Sequence, residues 1–148
     1  MMGLIAWRRL VVEAAFAMLA ARALLVLLPF SRLAGRWGVF TSPGLAPPGF
    51  VLDPVQAALA RHIAGSIASA ARHLPFESSC LVRAAAAHTM LRRRGVPHRL
   101  HLGAVSGQQQ AAETHAWLSA GEVRVSGYPL PAGMVELGCF PWSCAASN

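Results

Sequence analysis

Lysine is absent from the 148 residues, and Asp53 is the only aspartate. The first absence excludes a Schiff-base lysine, a P-loop lysine and a lysine general base. The second excludes any chemistry that needs two or three aspartates. Charged residues make up only 13% of the chain against 55% hydrophobic, a balance that excludes a disordered polypeptide. No run of ~18 apolar residues is free of charge, as a membrane-spanning helix would require. Three cysteines are too few, and odd in number, for a disulfide scaffold. Cys139 and Cys144 lie in Cys-Phe-Pro-Trp-Ser-Cys with no neighbouring histidine, and the six histidines form no His-x-x-x-His pair. Neither a metal nor a cofactor is therefore expected, and unpaired thiols suit the cytoplasm.

All thirteen basic residues are arginine, giving a net charge of +7. They are scattered, except that Arg92, Arg93 and Arg94 close a predicted helix, where positive charge complements the helix dipole. No helix-turn-helix signature, zinc spacing or aromatic–basic interleaving accompanies them, so nucleic acid is not an expected partner. The trio is expected as a solvated helix end, with a surface for an acidic peptide as the alternative.

The length points to one domain with a modest core. Residues 7–28 form a predicted helix stopped by Pro29, with a short basic helix at 31–37. The apolar stretch at 11–30 is interrupted by Glu13 and Arg22 and has no small-residue cleavage site. It is expected as a buried helix, the alternative being peripheral contact with a membrane surface or a partner. Residues 41–49 are a loop by composition. Asp53 is placed to cap a helix that has Pro54 in its first turn and runs to about His73. Serines 78 and 79 precede an apolar run ending at Gly95, which puts Cys80 in the first turn of a third long helix. Strands are expected at 100–105, 114–119, 122–126 and 134–140, with a polar loop at 108–110 and a two-residue turn at Ala120 and Gly121. Helices followed by a small antiparallel sheet make an α+β plan.

A cysteine in the first turn of a helix is where a thiolate is best stabilised, because free N–H groups and the dipole both favour negative charge. The same N–H groups can hold the oxyanion of an attacked carbonyl. A base must come from a distant strand, and His115 in Glu-Thr-His-Ala-Trp-Leu has that character. Arg83, one turn after Cys80, is expected to bond Glu77 or a carbonyl. Trp117 is expected in the core.

Residues 74–102, LPFESSCLVRAAAAHTMLRRRGVPHRLHL, followed by THAWL at 114–118, resemble the transglutaminase-like cysteine protease of lasso-peptide biosynthesis. The likeness is to its small stand-alone B protein, of the type found as the C-terminal domain of microcin-processing proteins. RRLVVEAAFAMLAARALLVLLPFSRLAGRWG at 8–38 resembles that family's opening helix. The resemblance implies a papain-like core in a single domain, 1–148. Within it, 1–40 is a helical segment, 41–53 a Pro/Gly-rich loop and 54–148 the catalytic core. It implies Cys80 as nucleophile and His115 as base in a leader peptidase. Its implied partners are the precursor's leader peptide, a separate leader-recognition protein and a cyclase related to asparagine synthetases.

The family's third member is missing. Its aspartate, about a dozen residues after the histidine, would fall near Gly127, where Ser126, Gly127 and Tyr128 offer no carboxylate. A strict hairpin about Ala120 and Gly121 pairs His115 with Ser126, whose hydroxyl or carbonyl would hold the ring. Glu136 and no side-chain orienter at all are the other outcomes. Two further readings stay open: acyl transfer on the same Cys–His pair, and a degenerate scaffold for the biosynthetic complex.

Overall fold

The computed structural model describes residues 2–105 and 113–144, so the expected 108–110 loop lies outside the described residues. Four helices precede four strands: α1 (Leu4–Leu27), α2 (Phe30–Trp37), α3 (Pro54–His73), α4 (Cys80–Arg93), β1 (His98–Val105), β2 (Glu113–Ala120), β3 (Val123–Ser126) and β4 (Met134–Trp142). The strands form one antiparallel sheet in the order β3-β2-β1-β4. This is the α+β architecture of helices followed by a small antiparallel sheet.

Local sequence explains the helices. Asp53 accepts the Gln56 N–H at 2.8 Å while the Gln56 side chain accepts the Asp53 N–H, a reciprocal cap with Pro54 at the first helical position. Pro29 ends α1 and starts α2. Ser79 caps α4 by accepting the Val82 N–H, and Gly95 leaves it at φ 67°. The run Ala84–Ala87 gives α4 high helix propensity and a narrow waist, and all four alanines are buried. Eight of the fourteen residues of α4 are buried, with Thr89, Arg92 and Arg93 left exposed. α4 accordingly packs against the sheet on one side and α1 and α3 on the others.

α1 departs from the expectation of a buried helix. Leu10, Ala14, Met18 and Ala21 make a single buried stripe against α3 and α4, whereas Leu4, Ile5, Val12, Phe16, Val26 and Leu27 are exposed. Apolar residues encircle α1, but only one side of it has anything to meet. By length and composition α1 is also apolar enough to cross a membrane. The arginines ending α4 are less free than expected. Arg94 forks onto Glu13 of α1 at 2.9 and 2.6 Å, Arg93 lies 3.8 Å from the same carboxylate, and Arg92 donates to the Arg36 carbonyl. Bonding to Arg94, opposed by burial, holds the Glu13 carboxyl below its ordinary range.

The sheet's inner face meets α3 and α4. Its outer face is crossed by residues 46–52, where Arg99 donates to the Pro47 and Pro48 carbonyls and lies over the Phe50 ring. Under α4, His98 and His88 form a buried pair. His98 Nδ1–H donates to the Val96 carbonyl, so its Nε2 accepts from His88 Nδ1–H at 2.8 Å. Burial first, then neighbouring positive charge, pushes His88 down to about 3. Burial also takes His98 down to about 4, against the Val96 bond that favours its charged form. In the unfolded chain both rings titrate near ~6.5. Below that pH the unfolded state binds more protons, so the pair's stabilisation is complete above ~6.5 and is lost as pH falls toward the folded values. We expect this pair to lower unfolding free energy by on the order of 2 kcal/mol per pH unit between pH ~6 and ~4.5. Denaturant titrations of wild type and a His88→Leu/His98→Leu double variant check it. Identical pH profiles would remove the pair as the cause.

Candidate active site

Cys80 is the first residue of α4, half-buried, with its thiol turned toward β2. The Ala116 N–H donates to Cys80 Sγ at 3.4 Å. That donor is available because β3 stops early. Ser126, its last residue, pairs with Leu118, leaving Ala116 beyond the ladder between the two strands. The first N–H groups of α4 also lack partners within the helix. The strand edge thus presents a backbone donor to the sulfur, and the thiol sits at the positive end of the α4 dipole.

His115 is the next residue along β2 from Ala116 and is also half-buried. Its Nε2 lies 2.7 Å from the Gly127 carbonyl. A carbonyl only accepts, so the neutral ring carries its proton on Nε2. Among the described residues Nδ1 has no hydrogen-bond partner, Cys80 Sγ included. His115 lies nearly parallel to Trp117, which stacks in turn on His101. Trp117 is 5% exposed, so it is buried as expected, but on the outer face of the sheet beside His115. Cys80 and His115 line one cavity of about 290 Å³ with Phe30, Leu81, Leu102, Gly103, Thr114, Ala116 and Leu137. Among the described residues, no carboxylate lines it.

The expected pairing of His115 with Ser126 is not present. The turn occupies Gly121 and Glu122 rather than Ala120 and Gly121, so Ala120 pairs with Val123, and a bulge then shifts Leu118 onto Ser126. The two displacements carry Ser126 away from His115, and its buried hydroxyl has no hydrogen-bond partner. The chain instead turns through Gly127 at φ 81°, which brings that residue's carbonyl to the ring. A Cβ there would lie 2.5 Å from the Ala116 oxygen and 2.7 Å from Trp117 Cβ, so only glycine fits. Spacing had pointed to this position as the site of the missing carboxylate, but a backbone acceptor leaves no side-chain signal. Arg83 bonds Ser78 Oγ at 2.9 Å rather than Glu77.

Glu136 serves a different histidine. Its carboxylate lies 2.6 Å from His101 Nδ1, and Ser119 Oγ is 2.8 Å from His101 Nε2. Cys139 pairs directly with His101 across β1 and β4. The donor atoms of His101, Glu136 and Cys139 lie within 4.8 Å of one another, a set suited to a divalent transition metal. An ion would first have to displace the His101–Glu136 bond, since both ring nitrogens are engaged. Burial and Glu136 push the Cys139 thiol up, away from the thiolate an ion would need. Adjacent strands make this cluster from residues 35 apart, which no local spacing could announce.

Residues 24–145 match the sequence profile of a family described as the Transglutaminase-like superfamily. No curated protein and no solved structure matches the chain.

The tautomer is directly measurable. Long-range ¹H–¹⁵N spectra near neutral pH should show His115 protonated at Nε2 in its neutral form, and an Nδ1–H ring would contradict the Gly127 bond. Gly127→Ala should lower stability by about 1–3 kcal/mol in denaturant titration and shift the His115 ring resonances.

Proposed function

From a chain that belongs to the transglutaminase-like superfamily, we propose a cysteine peptidase that removes the leader from a ribosomally made lasso-peptide precursor. The observation that carries this reading is the convergence on one cavity of a helix-terminal thiol, a strand N–H on its sulfur and a histidine with a free Nδ1.

In this mechanism His115 Nδ1 takes the proton of the Cys80 thiol. The thiolate, held by the Ala116 N–H and the α4 terminus, attacks the carbonyl at the junction of leader and core. The Cys80 N–H, free at the first helical position, stabilises the oxyanion. Imidazolium Nδ1–H then protonates the departing amine as the C–N bond breaks, leaving a thioester. Neutral His115 next activates water through the same nitrogen, and thioester hydrolysis restores the thiol. Throughout, Nε2–H stays on the Gly127 carbonyl, which fixes the ring's plane and tautomer.

The precursor is delivered by a separate leader-recognition protein, and an asparagine-synthetase-like cyclase consumes the freed core. A reducing cytoplasm keeps Cys80 as a thiol. The exposed apolar side of α1, with Arg8 and Arg9 near its start, supports peripheral contact with an anionic membrane surface. Acyl transfer on the same residues would yield a joined product in place of two free peptides.

Incubating precursor and recognition protein with each variant, and reading products by mass, tests the assignment. Cys80→Ala should abolish cleavage and His115→Ala should slow it about 10³-fold. Ser126→Ala, whose hydroxyl touches no polar group, should keep the rate within about threefold. Cleavage that survives Cys80→Ala would overturn the mechanism.

A further inference from the structure

The cavity at Cys80 owes its walls to two irregularities of the chain and to the opening turn of α4. Pro29 breaks the first helix and makes Phe30 the first residue of α2. Leu81 follows the cysteine in the helix's opening turn. Leu137 is the extra residue of a β-bulge: Leu102 pairs with Gly138 and Gly103 with Glu136, so Leu137 has no partner on β1. Bulges re-aim a side chain, and this one brings Leu137 to the cavity that Cys80 and His115 occupy. Leu102 lines the strand side. Phe30 and Leu137 are 50% and 54% exposed, so apolar surface is held open to solvent where a substrate must enter.

Among the described residues, no Asp, Glu, Lys or Arg side chain lines the cavity, although the chain carries thirteen arginines. A charged group entering it would lose water and meet no Asp, Glu, Lys or Arg countercharge, with Thr114 and His115 the only polar side chains beside Cys80 among the described residues. At about 290 Å³ the cavity lies just below the ~300–1,000 Å³ usual for small-molecule sites, room for one or two side chains. Of the two residues flanking the attacked bond, the one supplying the carbonyl remains bonded to sulfur after the amine has left. A pocket that contains Cys80 itself is placed to hold that residue.

We infer that this pocket selects substrates by an uncharged apolar side chain on the residue whose carbonyl Cys80 attacks, with Phe30, Leu81, Leu102 and Leu137 as its walls. The inference rests on Cys80 being the nucleophile of the proposed peptidase. Burial of such a side chain excludes water from the thioester side of the site and rejects acidic and basic residues there.

Four N-acetyl aminoacyl chloromethyl ketones, carrying Leu, Phe, Asp or Lys, test this without a precursor. Sγ displaces chloride and forms a thioether, and intact mass with peptide mapping reports the rate at Cys80. Iodoacetamide, which has no side chain to place, gives the reference reactivity. Relative to that reference, Leu and Phe reagents should label Cys80 at least about tenfold faster than Asp and Lys reagents. Leu137→Arg, at an exposed position, should abolish the Leu preference and favour the Asp reagent. Phe30→Ala should reduce the Leu and Phe rates together. Equal rates for all four reagents, with ordinary iodoacetamide labelling of Cys80, would overturn the pocket and leave the nucleophile standing. Iodoacetamide labelling of Cys80 no faster than of Cys144 would instead remove the activated nucleophile, and the pocket's role with it.

Discussion

The early end of β3 is the constraint on which the site depends. Had the hairpin continued in strict register, the Ala116 N–H would have been engaged by a neighbouring strand. Because the ladder closes at Leu118 and Ser126, that donor meets Cys80 Sγ. The same ending releases Gly127 to turn back toward His115. One missing stretch of β-ladder therefore supplies both the thiol's neighbour and the histidine's anchor. A buried backbone group must find some partner, and here the partners are the reacting residues.

Placement of the thiol at that edge is the work of α4. Its alanines let three packing partners approach a single helix, and its ends are fixed by different means: the Ser79 cap at the cysteine end and the Arg94–Glu13 fork to α1 at the other. A small core is thereby concentrated around one axis, with the reactive residue at its tip. On the sheet's far face, the stack of His101, Trp117 and His115 ties a second polar network to the ring's plane.

Helix boundaries were legible because they are written in local chemistry. The Asp53 cap with Pro54, the Ser79 cap, Pro29 and Gly95 each stop or start a helix through groups within four residues. Cys80 was placed by the same logic, and the choice of His115 needed only that a strand carry a lone histidine. The hairpin register was not legible. A one-residue shift of the turn and a bulge after Leu118 cost little locally, yet together they replace Ser126 by the carbonyl of Gly127. The His101–Glu136–Cys139 cluster was hidden for a related reason, since it exists only once β1 and β4 are paired. Burial of α1 was misjudged because apolar composition says that a helix seeks cover without saying how much cover the rest of the chain provides.

An acceptor that belongs to the backbone differs from a carboxylate in proton bookkeeping. A carboxylate beneath an imidazole would itself take up a proton in acid, and the ring would lose its anchor at that point. The Gly127 carbonyl remains an acceptor at every pH at which the fold persists. It contributes no full negative charge to the imidazolium formed during the reaction, so it stabilises that state less than an aspartate would. What it provides instead is an orientation that does not titrate: along the Cys80–His115–Gly127 line, only the thiol and the ring exchange protons, and the third position is silent.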